Sequence, residues 1–287
     1  MREILRRHRV ACFVGVTFGV TWSAWLGLAV AGHTVGAGFS PLYLLGLLGP
    51  LIGAVVTTAA IDGRVGMLRL LRRAVRLRVG LRWWGVGLGM PIAVAAATYV
   101  MVVSYSVFLL APVALPAASA FGEFVGFPIT NWVALCAMLI AVNGFGEETG
   151  WRGFLLPEMQ RRWSPLTASL IIAVVWAVWH APAFLVNDNY RAMPIAMLPM
   201  FFAGLVCGSL FLTWLYNRGR QSIALVAVWH GVFNLLTGTV AARGVLAATE
   251  TTAVMVVAIV LLARELRATQ RERRGRPATH VMEPIGT

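Results

Sequence analysis

Eight apolar stretches recur along this chain of 287 residues and limit the folds open to it. Each is close to the ~20 residues that an α-helix needs to cross a bilayer. Only 12% of the residues are charged and 59% are hydrophobic, which excludes an ordinary soluble domain. The sequence predicts an all-α polytopic membrane helix bundle with spans near 10–32, 41–61, 84–111, 131–151, 165–186, 194–216, 222–241 and 249–263.

The positive charges give this bundle an orientation. The net charge of +13 comes from arginine alone, because the sequence contains no lysine. With eight spans, every arginine except Arg191 and Arg243 falls on one side of the membrane. The excess of basic residues in cytoplasmic loops explains this pattern and predicts that both termini are cytoplasmic. Nucleic-acid binding is the alternative explanation, and the position of the arginines between apolar spans disfavours it.

Three segments outside the spans have a distinctive composition. Residues 64–82 combine an apolar stripe with arginines on the other side, which predicts an amphipathic helix on the anionic lipids of the cytoplasmic leaflet. A solvated basic connector is the alternative. Residues 264–287 form a basic tail, predicted as a charged helix followed by a disordered end after Pro277. The apolar, proline-containing stretch 112–130 indicates a re-entrant or interfacial segment. We treat residues 1–287 as one integral membrane domain.

Two adjacent carboxylates, Glu147 and Glu148, lie at the end of the fourth span. Charged groups there are expensive to desolvate, so they are rare and usually functional. Arg152 is four residues after Glu148 and shares its helix face, which predicts an ion pair. Glu147 shares a face with Asn143 and has no evident partner. We expect this helix to continue to about Leu156, where Pro157 would end it.

Two histidines lie in later spans, each with a neighbour on the same helix face. Trp176 precedes His180 by four residues, and Asn234 follows His230 by four. Structural hydrogen bonds between helices are an alternative for either histidine alone. We expect both to converge with the carboxylates on one cavity. At ~1.5 Å per residue, His180 is ~22 Å from Pro165 and His230 only ~12 Å from Ser222, so the two depths disagree.

These groups suit two kinds of hydrolytic chemistry. A carboxylate and an imidazole can polarise a water molecule and pass its proton to a leaving group. A second histidine with an asparagine can donate hydrogen bonds to an oxyanion. Alternatively, Glu147, His180 and His230 are a ligand set for catalytic Zn²⁺, assembled across helices because no H-E-x-x-H motif is present. The sequence leaves both mechanisms open.

Residues 130–241 resemble the CPBP family of intramembrane endopeptidases, which includes the type II CAAX prenyl endopeptidases and bacterial relatives linked to bacteriocin self-immunity. The family motif E-E-x-x-x-R corresponds to Glu147, Glu148 and Arg152. The motif F-x-x-x-H corresponds to His180, with Trp176 in place of phenylalanine, and H-x-x-x-[ND] corresponds to His230 and Asn234. All three motifs occur in order.

The resemblance implies an intramembrane endopeptidase, described in the family as a metalloprotease, that cleaves a membrane-associated and CAAX-like prenylated protein or peptide. Glu147 would be the general base, His180 its partner on the water, and His230 with Asn234 the oxyanion donors. Glu148, Arg152, Asn143 and Trp176 would support the site. We expect the protein in a bacterial cytoplasmic membrane. A non-catalytic immunity or scaffold protein is one alternative, and a transporter that uses the same Glu and His groups is another.

Overall fold

The computed structural model describes residues 2–36, 38–108 and 124–283. Within these ranges the chain forms helices and turns, and the extended pairing is limited to isolated bridges between Val35 and Asn187 and between Phe124 and Phe127. The all-α prediction is confirmed. Most of the predicted re-entrant stretch 112–130 lies outside the described residues.

The described residues up to Phe108 form six α-helices. They are α1 (Arg2–Arg7), α2 (Arg9–Val30), α3 (Pro41–Leu47), α4 (Gly49–Ala74), α5 (Leu81–Trp84) and α6 (Met90–Phe108), with the π-helical turn Gly85–Gly89 joining the last two.

The second half begins with a segmented helical run, 132–160. It consists of α7 (Trp132–Leu139), a π-helix (Ile140–Gly144), α8 (Phe145–Gly150), a second π-helix (Trp151–Leu155) and α9 (Leu156–Gln160). The remaining helices are α10 (Pro165–Trp179), α11 (Ala183–Val186), α12 (Asp188–Arg191), the 3₁₀ turn Ile195–Met197, α13 (Leu198–Arg218), α14 (Ile223–Gly238) and α15 (Val245–Arg273).

Six helical stretches in the described part of the chain are long and apolar enough to cross a membrane: Arg9–Val30, Gly49–Ala74, Leu81–Phe108, Pro165–Val186, Ile195–Arg218 and Val245–Arg273. They confirm a polytopic membrane bundle. The other two predicted spans correspond to the shorter helix α14 and to the segmented run 132–160. The count of eight and the cytoplasmic termini stay predictions.

The segmented run packs unusually close to its neighbours, and this positions the carboxylates. A Cβ added to Gly144 would lie 2.2 Å from the Ala227 carbonyl oxygen of α14, and one added to Gly231 would lie 2.5 Å from Ile140. Small residues at such contacts let helix backbones approach in the membrane. The π-helical turn before α8 rotates Glu147 and Glu148 relative to α7, and the one after α8 does the same for the residues that follow. Pro157 does not end the run, because it lies in the first turn of α9, where proline is tolerated.

Two basic segments differ from their predictions. Helix α4 continues through 64–74 after a break at Gly63, whose φ of 59° favours glycine, and ends at Ala74. The amphipathic segment is therefore an extension of a membrane helix that stops short of residue 82. The expected disorder after Pro277 is wrong for the described residues to 283: Met282 is buried, and its carbonyl accepts a hydrogen bond from Asn217 (2.8 Å).

Candidate active site

Glu148 and Arg152 form a completely buried ion pair. Both side chains have 0% exposure, and Arg152 Nη1 donates to Glu148 Oε1 at 3.1 Å. The predicted pair is therefore present. The same carboxylate oxygen lies 2.7 Å from Nδ1 of His230 on α14. Because a carboxylate accepts and an imidazole N–H donates, Glu148 holds the His230 ring through its Nδ1–H.

Glu147 is also buried, and it has a partner that the sequence analysis missed. The indole N–H of Trp176 donates to Glu147 Oε2 at 2.8 Å. The guanidinium of Arg152 lies over the Trp176 ring, 5.2 Å from its centroid. The expectation that Glu147 lacks a partner is wrong. Trp176 on α10 connects the two carboxylates, one by its N–H and the other through Arg152.

His230 lies between the two carboxylates. Its Nε2 is 3.9 Å from Glu147 Oε1, which is too long for a direct hydrogen bond. A third atom beside the pair can lie about 2.8 Å from both, within hydrogen-bond reach of each. Glu147 Oε1 and His230 Nε2 are therefore placed to share a water molecule or a substrate oxygen.

His180 lies apart from this pair. It is the residue after α10, and its Nδ1 is 2.7 Å from the Trp176 carbonyl oxygen. A carbonyl oxygen only accepts, so the neutral ring carries its proton on Nδ1 and its lone pair on Nε2. In the described part of the chain His180 makes no hydrogen bond or ion pair with Glu147 or His230. The ring contacts Trp179, Tyr190 and Phe201 instead.

The structure agrees with the predicted difference in depth between His180 and His230. His180 is at the far end of α10, and Trp176, one turn earlier, makes the contacts to the carboxylates and to the His230 ring, with centroids 5.9 Å apart. The convergence of the motifs is centred on Trp176. His180 adjoins the centre through the Trp176 ring, 5.8 Å away.

The two asparagines keep unused hydrogen-bonding groups. Asn143 is buried in the first π-helix, and its Oδ1 has no partner among the described residues. Asn234 is half-buried and lies one turn after His230. Among the described residues, none forms a hydrogen bond with its side-chain amide. Both amides retain capacity for a ligand.

Tyr190 is a residue that the sequence analysis missed. It follows the cap Asn187, whose Nδ2 donates to the Tyr43 hydroxyl at 2.6 Å, and its ring lies 5.8 Å from His180. Burial raises the pKa of the Tyr190 hydroxyl above its usual value, so this group stays protonated as a donor. The only signal in the sequence was an aromatic residue in a polar loop, D-N-Y-R.

The residues present do not fit a metal ion as they are arranged. Among the described residues, no group of three or more His, Cys, Asp or Glu side chains is placed to hold one. Nδ1 of His180 and Nδ1 of His230 both hydrogen-bond to oxygen acceptors, so Nε2 is the nitrogen of each ring that is open to a further ligand. The zinc set Glu147, His180 and His230 stays a prediction.

Known proteins are similar in sequence to this part of the chain. Residues 129–236 fit the model of a family described as type II CAAX prenyl endopeptidase Rce1-like. The chain is also 31% identical over 110 residues to CAAX prenyl protease 2 of Methanococcus maripaludis. The resemblance to CPBP proteases is confirmed. The aligned stretch covers 37% of this chain and 40% of the curated relative, and the matched residues 129–236 contain every candidate site residue from Asn143 to Asn234.

Proposed function

We propose that this chain is a membrane-embedded endopeptidase of the CAAX type that hydrolyses a peptide bond in a membrane-associated protein or peptide. The observation that carries the proposal is the cluster formed by Glu147, Glu148, Arg152, Trp176 and His230, which we call the buried cluster. It is enclosed by membrane helices and lies within the stretch that resembles CAAX endopeptidases.

In this proposal, Glu147 is the general base. Its Oε2 is fixed by Trp176, so Oε1 is the oxygen left to take a proton from water. With both carboxylates ionised and Arg152 charged, the buried cluster has one net negative charge, which a proton on Glu147 or His230 would cancel. General acid–base catalysis needs such an exchangeable proton at a fixed position.

The proposed roles of His230 and Asn234 concern the charge that develops on the scissile carbonyl. Glu148 holds His230 by Nδ1, so a protonated ring presents Nε2–H beside Glu147 Oε1. The Asn234 amide, one turn along α14, has donors that no other described residue uses. Because Glu148 fixes His230 before the reaction, this donor would stabilise an oxyanion without reorganisation during it.

The proposed role of His180 is indirect. Its lone pair on Nε2 can accept a hydrogen bond from the attacking water or the leaving amine, and its contact with Tyr190 places a hydroxyl donor nearby. Because His180 has no direct bond to Glu147 within the described residues, we propose that a water or the substrate joins them.

The test is cleavage by the purified full-length protein in micelles. A prenylated peptide with a CAAX terminus is the first substrate, because the relative is named a CAAX prenyl protease. The same peptide without the prenyl group is the comparison substrate. We expect Glu147→Gln to lower kcat about 10²–10⁴-fold, the usual contribution of a general base. Glu3→Gln, an exposed carboxylate on α1, is the matched control and should cleave normally.

Different outcomes separate the hypotheses. Equal turnover by Glu147→Gln and the native chain would refute the role of Glu147. Tight peptide binding with no cleavage by the native chain would instead favour the non-catalytic immunity or scaffold alternative. A parallel assay with a chelator tests the zinc prediction: loss of activity that added Zn²⁺ restores would support it.

A further inference from the structure

A second polar region lies at the arginine-rich end of the molecule, beyond the buried cluster. It is a cavity of about 470 Å³ formed where the start of α2, the end of α4 and the end of the run 132–160 meet. We call it the arginine cavity. Its walls carry two carboxylates, Asp62 and Glu158, and six arginines: Arg9, Arg69, Arg72, Arg73, Arg76 and Arg161.

The two carboxylates in the walls are already neutralised. Arg9 donates to both oxygens of Asp62, at 3.0 and 2.6 Å, and its Nη2 lies 3.0 Å from Glu158. Arg161 pairs with Glu158 at 3.0 Å. The remaining arginines of the cavity therefore carry positive charge that no acidic side chain in its walls balances.

The unbalanced arginines all lie on α4 and its immediate extension. Arg73 donates to the Tyr216 hydroxyl at 3.1 Å and Arg76 to the Arg220 carbonyl oxygen, so these two are held in place by neutral acceptors. Within the described residues, Arg69 and Arg72 make no hydrogen bond or ion pair. Arg69, Arg72 and Arg73 share one face of α4. Arg76 follows the end of the helix, and all four arginines line the cavity. A row of guanidinium groups with free donors suits a phosphate group.

The adjoining face of the same helix is apolar and exposed. Val65, Leu68, Leu71 and Val75 are between 43% and 65% exposed, beside the arginine row. A helix with this combination lies where acyl chains meet headgroups, the apolar stripe toward the acyl chains and the arginines toward phosphate. A soluble anion would use the arginines alone, whereas a phospholipid would also use the exposed apolar residues beside them.

We propose that the arginine cavity binds the phosphate-bearing headgroup of an anionic phospholipid, with its acyl chains along the apolar stripe of α4. The site is distinct from the buried cluster and its occupancy does not depend on peptidase activity. It would fix the end of α4, and through Gly153 and Phe154 the end of the run that carries Glu147, at a defined depth in the leaflet.

The test is lipid binding to the purified full-length protein in neutral detergent, followed by native mass spectrometry during titration with phosphatidylglycerol. The variant is Arg69→Gln with Arg72→Gln. The matched control is Arg64→Gln with Arg78→Gln, two exposed arginines of the same region that do not line the cavity. Each arginine near a membrane surface contributes about fivefold to the binding of an anionic lipid, so we expect the variant to bind roughly tenfold or more weakly and the control to change little.

The other outcomes overturn the proposal. Equal weakening in both pairs would mean diffuse surface attraction, and equal affinity for phosphatidylcholine would remove the selectivity for an anionic lipid. Inorganic phosphate and a peptide with a free carboxyl terminus are tested separately. If either binds with the same dependence on Arg69 and Arg72 while phosphatidylglycerol does not, the lipid assignment is wrong. Gel filtration of both variants establishes that they remain folded.

Discussion

The run 132–160 contributes residues to both the buried cluster and the arginine cavity. The charged groups of these two regions are arranged in opposite ways. In the buried cluster, Glu148 and Arg152 are fully enclosed, and each charged group is held by a partner within the cluster. In the arginine cavity the side chains are partly exposed and the positive charges outnumber the carboxylates. The first arrangement fixes reactive groups in place, and the second leaves charge free for a ligand from outside.

The comparison predicts very different sensitivities to the loss of one charge. In the buried cluster, removing one partner leaves an uncompensated charge away from water, which costs far more than the pair itself contributes. In the arginine cavity, water and salt compensate a lost partner.

Arg152→Gln should be the most damaging substitution. It leaves Glu148 buried without its cation, and we expect a loss of stability of about 3–5 kcal/mol. The measurement is unfolding in mixed micelles followed by the fluorescence of the 11 tryptophans. Arg162→Gln, an exposed arginine with the same charge, is the control and should change stability little.

A double substitution sharpens this prediction. Arg152→Gln with Glu148→Gln removes both charges, so it should recover part of the stability lost in the single variant. Equal stability of Arg152→Gln and Arg162→Gln would show that Glu148 does not depend on Arg152.

Trp176→Phe should have the next largest effect, on activity. It keeps an aromatic ring, and it restores the residue of the family motif, but it removes the N–H that donates to Glu147. A lost hydrogen bond to a buried charged group corresponds to about 1.5–3 kcal/mol, so we expect kcat to fall by roughly tenfold or more.

The control for Trp176→Phe is Trp214→Phe, which removes an indole N–H from a residue that packs against Trp83. A change confined to KM, or an equal change in both variants, would mean that Trp176 shapes the binding surface without positioning Glu147.

The Arg9–Asp62 ion pair tests whether charge pairs in the arginine cavity are coupled weakly. The side chains line the arginine cavity and are 17% and 22% exposed, so water still reaches the pair. We expect a coupling energy of about 1 kcal/mol, at the upper end for solvent-accessible pairs because the geometry is bidentate. A double-mutant cycle with Arg9→Gln and Asp62→Asn measures it. The coupling should shrink as salt is raised, because exposed charges are screened. A coupling as large as the loss in Arg152→Gln would remove the distinction between the two regions.

The sequence predicted the buried cluster better than it predicted the arginine cavity, for a physical reason. Spacing along one helix fixes which residues share a face, so the Glu148–Arg152 pair could be inferred from four residues of separation. The candidate catalytic residues could be recognised in the sequence because carboxylates and histidines are rare in apolar spans.

The spacing of residues along the sequence does not predict contacts between different helices. The bond from Trp176 to Glu147 depends on how α10 packs against α8, and the π-helical turn before α8 rotates Glu147 in a way that a regular helix does not predict. The same limit explains the arginine cavity, whose walls come from segments far apart in the chain. The fold class followed from the apolar spans, whereas the end of α4 and the order of the tail depended on tertiary contacts such as Asn217 to Met282.

The smallest predicted effect concerns the tail. His280 lies between Glu265 and Glu272 of α15, 2.7 and 2.9 Å away, and Arg218 of α13 donates to the His280 and Val281 carbonyls. Desolvation lowers the pKa of His280, but hydrogen bonds and charges from the two glutamates outweigh it and raise the pKa above its usual value. The stabilisation of the docked tail is therefore complete below about pH 6.5, the unfolded value, and is lost as pH rises through the raised pKa.

Hydrogen exchange of the Val281 and Met282 amides, which donate to Glu265, measures tail docking directly. We expect faster exchange, corrected for intrinsic rate, as pH rises, and His280→Gln should remove that dependence. His33→Gln, a histidine outside the tail, should preserve it. Because Glu272 is 54% exposed, solvent weakens its part of the interaction, and the whole effect should be far smaller than that of Arg152→Gln. If instead His280→Gln unfolded the protein as Arg152→Gln is expected to, burial would not be what separates strong from weak charge pairs in this molecule.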